Sequence, residues 1–158
     1  MGGLSEFLGF FGSPGVAALR FARLRDLPAV DDQAMEVFAD LPELKRLYLH
    51  ELASVTDAGL KNLEPLKSLE VLDIWTVPQM TDATVQTIAT LPSLKELSIR
   101  TTDVTDAAVD KLLAMPKLQS LTFKENGRVT AEGLKKLAGK KWSKLDTGSG
   151  EGGAAAAP

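Results

Sequence analysis

The chain has no cysteine, a single histidine and no long run of apolar residues. The absence of cysteine excludes disulfide bonds and thiolate metal sites, and one histidine argues against a structural zinc site. No apolar stretch approaches the roughly 20 residues that a membrane-spanning helix needs. We therefore expect a protein with no cofactor, no metal ion and no transmembrane segment.

A basic excess is also missing. Lysine and arginine number 18 against 21 aspartate and glutamate residues, which gives a formal net charge of −3. Nucleic-acid-binding proteins usually carry a strong basic excess. Lysines do cluster at Lys135, Lys136, Lys140, Lys141 and Lys144. With Trp142 as the one interleaved aromatic residue, a solvated helix face explains them better than a phosphate-binding patch. We expect no nucleic-acid partner.

The first residues lack the basic start and long apolar middle of a secretory signal, which makes a cytoplasmic location the default. Three of the six phenylalanines are there, at Phe7, Phe10 and Phe11. A solenoid has an open first edge, so residues 1–15 are expected to form a hydrophobic cap on it. A docking peptide or a weak membrane anchor is the alternative; apart from that we expect no membrane association.

What the chain does contain is a repeat. The pattern L-x-x-L-x-L begins at Leu44, Leu69, Leu94 and Leu118, at steps of 25, 25 and 24 residues. A fixed period of this length is typical of a solenoid, in which each unit buries its apolar face against its neighbours. The alternation at the end of the pattern predicts a half-buried strand in every unit.

The second half of each unit predicts a helix. Val55-Thr56-Asp57 recurs as Met80-Thr81-Asp82, Val104-Thr105-Asp106 and Val129-Thr130-Ala131, each followed by apolar residues three and four apart. Each threonine hydroxyl can cap the free N–H groups of the helix, and the acid after three of them suits the positive end of the helix dipole. Capping explains these Thr-Asp pairs without any catalytic role.

With these motifs the chain resembles the leucine-rich repeat family, and most closely its ribonuclease-inhibitor-like and F-box-associated subclass, as in bacterial proteins with tandem V-T-D-A-G-L units. The resemblance spans roughly residues 19–146. It implies an α/β fold, a right-handed leucine-rich repeat solenoid with a parallel sheet on the concave face and helices on the convex face. The asparagine or cysteine that usually follows the strand has no consistent counterpart. The residues before the Val-Thr step are Ser54, Gln79, Asp103 and Arg128.

These patterns divide the chain into an N-terminal segment, a repeat domain over 16–147 and a tail over 148–158. The units lie near 19–43, 44–68, 69–93, 94–117 and 118–141, with a partial strand in 142–147 that starts at Trp142. The tail is too poor in apolar residues to order. The first strand is compatible with two registers. Leu19-x-x-Ala22-x-Leu24 preserves the spacing of the leucine pattern, and Val16-x-x-Leu19-x-Phe21 places large apolar side chains at all three of its positions.

Strand geometry predicts where a partner could bind. Side chains alternate along a strand, so three outward ladders arise. They are Arg46, Val71, Glu96 and Ser120; Tyr48, Asp73, Ser98 and Thr122; and His50, Trp75, Arg100 and Lys124. The single tyrosine, the single histidine and one of the two tryptophans thus fall on one face.

Large aromatic rings at these outward positions do not contribute to the hydrophobic core, and Trp, Tyr and Arg are enriched at binding hot spots. The sequence therefore predicts a non-catalytic protein-protein interaction module. Its partner-binding residues are expected to be Tyr48, His50, Asp73, Trp75, Glu96, Arg100 and Lys124. The alternative is that the rings stabilise neighbouring strands, with Trp75 and Arg100 as a cation–π pair.

Two other functions have weaker support. His50 with Asp73 could act as a base and its orienting group, with Tyr48 as the acid. However, an open sheet excludes little water, and the sequence has neither a glycine-rich phosphate loop nor a nucleophile elbow. We therefore expect no enzymatic activity. The second alternative is an assembly scaffold that stacks on another copy or on a longer repeat protein, through a solenoid end such as that at Trp142 or through the phenylalanine-rich N-terminus.

Overall fold

The computed structural model describes residues 18–148. Six parallel strands form one sheet in chain order. They are β1 (Phe21–Arg25), β2 (Arg46–His50), β3 (Val71–Trp75), β4 (Glu96–Arg100), β5 (Ser120–Lys124) and β6 (Lys144–Asp146). Because each strand pairs with the next one in the sequence, the repeats stack in order. The predicted cap over 1–15 and the predicted tail beyond residue 148 lie outside the described residues.

A helical segment follows each of the first five strands. These segments are a 3₁₀ helix over Ala34–Asp40, α1 (Asp57–Leu60) continued by a 3₁₀ turn over Lys61–Leu63, α2 (Asp82–Ala89), α3 (Asp106–Leu113) and α4 (Ala131–Ala138). Helical segments of neighbouring repeats pack against each other. A two-turn α-helix is thus present in the last three repeats, and the earlier ones have tighter or shorter turns. Within residues 18–148, no helix is long and apolar enough to span a bilayer.

The leucine ladders form the core, as the sequence predicted. The first and last apolar positions of the strand pattern are at most 2% exposed: Leu44, Leu69, Leu94 and Leu118, and Leu49, Ile74, Ile99 and Phe123. The helical stripe adds buried residues such as Leu60, Val85 and Val109. One continuous hydrophobic core therefore runs through all the repeats.

The two ends of the sheet resolve the register of the terminal repeats. Ala22 pairs with Leu47 and Leu24 with Leu49, so the first strand has the register that keeps the leucine spacing. At the other end Leu145 pairs with Leu121. Trp142 is buried, and its indole N–H donates to the backbone oxygen of Leu137 at 2.6 Å.

The threonines cap their helices as predicted, but the aspartate that follows three of them has a second role. Thr56 Oγ1 accepts a hydrogen bond from the Ala58 N–H at 3.1 Å. The following Asp57 carboxylate bonds to the next repeat, where it accepts from the N–H and the hydroxyl of Thr81. The same pair of hydrogen bonds joins Asp32 to Thr56, Asp82 to Thr105 and Asp106 to Thr130. We call this series the Asp–Thr ladder; it connects successive repeats beside the helix starts.

The residue after each of the first five strands has a left-handed backbone. These residues are Asp26, Glu51, Thr76, Thr101 and Glu125, with φ between 51° and 60°. In the first four of these residues the backbone N–H donates to a backbone oxygen on the next strand, which continues the sheet hydrogen bonding past the strand end. Glu51 donates to the Trp75 oxygen at 2.9 Å, and Thr76 to the Arg100 oxygen at 3.0 Å. Each strand therefore ends in the same sharp turn.

The loop after β5 contains a buried asparagine, Asn126, at a position where the earlier repeats have other residues. Two residues after the strands stand Leu52, Val77, Thr102 and Asn126, ahead of the positions named from the sequence. Asn126 is buried, and its Oδ1 accepts from the N–H and the hydroxyl of Thr102 at 3.2 and 3.0 Å. Its Nδ2 donates to the Ile99 oxygen at 3.1 Å. One buried amide thus satisfies three polar groups of the preceding repeat.

Candidate functional site

The seven predicted partner-binding residues all have outward positions on the sheet. The parallel register aligns Tyr48 with Asp73, and it aligns His50 with Trp75, then Arg100, then Lys124. Glu96 is the first residue of β4. We call the surface formed by the outward side chains of β1–β6 the open face. Its side chains are exposed or half-buried, with the exception of His50, which is buried.

A chain of aromatic rings crosses the first three strands of the open face. The ring centroid of Tyr48 lies 5.5 Å from that of Phe21 and 6.1 Å from that of His50. His50 in turn lies 5.6 Å from Trp75 in an edge-to-face arrangement. Phe21, half exposed at 50%, was not predicted, because its orientation depends on which register the first strand takes.

Arginines stack on two of these rings. The guanidinium carbon of Arg23 lies 4.9 Å from the Tyr48 centroid, and that of Arg100 lies 4.7 Å from the Trp75 centroid. Arg25 approaches Trp75 at 5.9 Å. The cation–π pair considered from the sequence is therefore present. Trp75 nevertheless remains half-buried rather than enclosed, so part of its indole is open to a ligand.

His50 and Asp73 meet beneath the rings. The Nε2 atom of His50 lies 3.2 Å from Oδ2 of Asp73, with the two side chains 10% and 20% exposed. The distance permits an ion pair, but the geometry does not make a hydrogen bond, and His50 Nε2 and Asp73 Oδ1 are buried without a hydrogen-bond partner. Within residues 18–148, no group of three possible ligands could hold a metal ion.

The centre of the open face has a shallow groove of about 170 Å³. Its polar lining includes Tyr48, Asp73, Glu96, Ser98, Thr122 and Lys144. At its far side the Lys124 ammonium donates to Asp146 Oδ2 at 2.7 Å, and this hydrogen bond lowers the pKa of the Asp146 carboxyl. The groove therefore presents mixed hydrogen-bonding groups beside the aromatic chain.

Two of the clustered lysines have structural contacts. Lys140 Nζ donates to the backbone oxygens of Leu113 and Met115 at 3.4 and 2.9 Å and lies 4.6 Å from the Trp142 ring. Burial lowers the pKa of its ammonium. Lys136 pairs with Asp110 at 3.4 Å. These contacts support the explanation of this cluster as part of the helical surface.

Solved structures share this fold. The chain matches an internalin from Listeria monocytogenes with a TM-score of 0.54 and 19% identity, over 84% of this chain and 42% of that one. It matches a chain of the Rad7 and Elc1 complex from yeast with a TM-score of 0.56 and 19% identity, over 84% of this chain and 44% of that one. The chain thus spans less than half the length of either. No family model matches the sequence, and neither does any curated protein.

Both matched structures are leucine-rich repeat proteins. At this level of identity the likeness establishes the fold and nothing finer. Together with the six-stranded parallel sheet, it confirms the predicted α/β leucine-rich repeat solenoid.

Proposed function

We propose that this chain is a non-catalytic protein-binding module whose partner lies on the open face of the sheet. The observation that carries the proposal is the half-exposed cluster of Tyr48, Trp75 and Arg100 on adjacent strands. A core does not need these side chains, since the leucine ladders fill the opposite face. Rings and guanidinium groups held in place before binding lose little entropy on contact, which favours affinity.

The fold supports the same conclusion. A repeat solenoid offers an extended surface along its sheet that can contact a partner across several repeats. One of the similar structures is a complex of two proteins, Rad7 and Elc1. The aromatic chain and the adjoining groove together span all six strands of this surface, from Phe21 on β1 to Lys144 on β6.

The alternative of stacking through the solenoid ends has less support. In the Asp–Thr ladder the carboxylates of Asp57, Asp82 and Asp106 accept hydrogen bonds from the capping threonine of the next repeat. The last helix has Ala131 in the place of that aspartate, so it offers no such bond to a further repeat. Trp142 also closes the core beside β6.

Photocrosslinking in the native cell tests the proposal. A photoreactive phenylalanine derivative is placed at Thr122 on the open face, or at Lys111 on the exposed side of α3 as the matched control position. We expect a covalent adduct with one defined protein from Thr122 and none from Lys111. Adducts from Lys111 alone, or none from either position, would contradict the proposal.

A second arm separates binding from packing. Trp75→Ala is expected to weaken partner capture by about 2 kcal/mol, the loss typical of a hot-spot residue, while leaving the melting temperature nearly unchanged. Thr122 crosslinking in a Tyr48/Trp75/Arg100 triple alanine variant should lose the adduct. If melting falls sharply and capture survives, the rings serve strand packing instead.

A further inference from the structure

The arginines of the described residues divide into two groups. Arg20, Arg25 and Arg128 form ion pairs, with Glu43 at 3.3 Å, Glu51 at 3.5 Å and Asp103 at 3.0 Å. Arg23, Arg46 and Arg100 form no ion pair with any residue in 18–148, and all three project from the open face. The guanidinium groups left without a carboxylate are therefore concentrated on the surface proposed to bind a partner.

Two of these three are held in place by stacking. Arg23 lies on Tyr48 at 4.9 Å and Arg100 on Trp75 at 4.7 Å. The Nε atom of Arg100 is buried, so the edge of this guanidinium that a partner can reach is the one formed by its two terminal nitrogens. A guanidinium whose face is stacked keeps its N–H edge free, and that edge matches a carboxylate with two parallel hydrogen bonds. Each ring thus orients a pair of guanidinium N–H groups, here called a fork, that can donate to the two oxygens of a carboxylate.

The charge of the open face is opposite to that of the whole chain. Its outward basic residues are Arg23, Arg25, Arg46, Arg100, Lys124 and Lys144, and its acidic ones are Asp73, Glu96 and Asp146. The chain as a whole carries a formal charge of −3. A basic face on an acidic protein favours a negatively charged partner and repels the same face of a second copy of this chain.

We propose, building on the function above, that the partner presents an extended acidic segment whose carboxylates pair with Arg23 and Arg100. Three strand steps of about 4.8 Å separate β1 from β4, so the Cα atoms of Arg23 and Arg100 are on the order of 15 Å apart. An extended peptide advances about 3.3 Å per residue, so its two acids stand about four or five positions apart. The residues between them cover the Tyr48, His50 and Trp75 rings.

A peptide is favoured over a nucleic acid because of the acids on the same face. Asp73 and Glu96 line the groove in the middle of the sheet. A continuous phosphate backbone would approach both of them, whereas a peptide can place neutral or donor groups there. Fluorescence anisotropy with the full chain tests this directly.

The probe is a labelled peptide with the core Glu-Ala-Leu-Ala-Glu. The comparison peptides contain two adjacent glutamates in the same composition, or glutamine in both places. We expect the spaced peptide to bind about tenfold more tightly than the adjacent one, which pairs with one arginine only, and up to about a hundredfold more tightly than the glutamine peptide, which pairs with neither, because one lost fork costs about tenfold in affinity.

Matched variants isolate the two forks. The double variant Arg23→Gln with Arg100→Gln should weaken the spaced peptide at least about tenfold. Arg20→Gln with Arg128→Gln makes the same change in net charge at arginines that are already paired, and should change the affinity by less than about twofold. Arg100→Lys keeps the charge without the planar fork and should lose most of the preference for spacing.

The outcomes are distinct. Equal losses in the two double variants, or no preference for spacing, would overturn the assignment. A thymidine decamer that binds more tightly than the peptide would overturn it in favour of nucleic acid. If Thr122 crosslinks a protein whose contacting segment is not acidic, the charge assignment fails while the proposed function stands; if Thr122 yields no adduct, the proposed function itself fails.

Discussion

Asp57 and Thr81, one repeat apart, are joined by two hydrogen bonds. Thr81 donates its N–H to Oδ1 at 2.9 Å and its hydroxyl to Oδ2 at 2.6 Å. Thr84 adds its own N–H and hydroxyl to Oδ1. One carboxylate thus receives four donors from the next helix start, and the position recurs in the repeats on either side. The ladder makes the stacking of repeats depend on polar bonds as well as on the leucine core.

Removing this carboxylate should destabilise the solenoid. Asp57→Ala leaves the hydroxyl of Thr84, which is buried, without an acceptor. We expect a loss of about 2–3 kcal/mol in the free energy of unfolding, since hydrogen bonds to a charged group are among the stronger ones. Urea unfolding followed by circular dichroism measures it. Asp40→Ala, at an exposed position, is the control and should change stability by less than about 0.5 kcal/mol; equal losses would contradict the ladder's role.

The same carboxylate gives stability a dependence on acid. Desolvation raises the pKa of Asp57, and hydrogen bonds from Thr81 and Thr84 outweigh it, so the folded pKa lies below its usual value. Hydrogen bonds from Thr130 lower the pKa of Asp106 in the same direction. A depressed folded pKa adds stability above the unfolded pKa of about 4, and this is lost as pH falls through the folded value.

We therefore expect the free energy of unfolding to fall as the pH drops below about 4. Urea titrations at half-unit steps measure the slope. In Asp57→Asn the slope in this window should be shallower, because the titrating group is gone. An unchanged slope would mean that Asp57 titrates alike in the folded and unfolded chains.

The sequence predicted the leucine core and the outward ladders because both follow from a side-chain alternation that repeats in phase. The pairing of His50 with Trp75 and Arg100 needed no other information. Phe21 and Arg23 were missed, since a degenerate first repeat allowed two registers and only the backbone pairing of Ala22 with Leu47 distinguishes them.

The Asp–Thr ladder was missed for a different reason. Capping already explained each Thr-Asp pair locally, and a sequence does not show that a carboxylate reaches a group 24 residues away. One signal was present. The aspartate recurs in each repeat that precedes another capping threonine and is replaced by Ala131 in the last one, as expected of a residue that accepts hydrogen bonds from the next repeat.

The ladder also explains two glycines. A Cβ built on Gly59 would collide with Oδ1 of Asp32, and one on Gly133 with Oδ1 of Asp106. Alanine normally stabilises a helix by about 1 kcal/mol relative to glycine. We expect the opposite here: Gly59→Ala and Gly133→Ala should lower the melting temperature. Gly127→Ala, which has open space around the added methyl group, should leave it unchanged or raise it.

The leucine core should respond as close-packed cores do. Leu97 is 3% exposed in the middle strand β4, and Leu97→Ala opens a cavity there. We expect a loss of about 2–5 kcal/mol in the free energy of unfolding. Ser98→Ala, one residue along on the open face, is the matched control and should have little effect. Similar losses at both positions would mean that the open face is packed against something as firmly as the core.

Asn126 replaces an apolar contact with a polar bridge at the loop after β5, where earlier repeats have Leu52 and Val77. Asn126→Ala should leave the Thr102 N–H and hydroxyl and the Ile99 oxygen without their partner. Since unsatisfied buried groups cost about 1–3 kcal/mol each, we expect a loss of at least about 2 kcal/mol. Asn126→Asp keeps the acceptor for Thr102 but places a buried carboxylate oxygen against the Ile99 oxygen, so its loss at neutral pH should be at least as large. Hydrogen exchange supplies the local readout: the Thr102 amide should lose protection in Asn126→Ala and keep it in Asn126→Asp, and protection in both would assign that amide another acceptor.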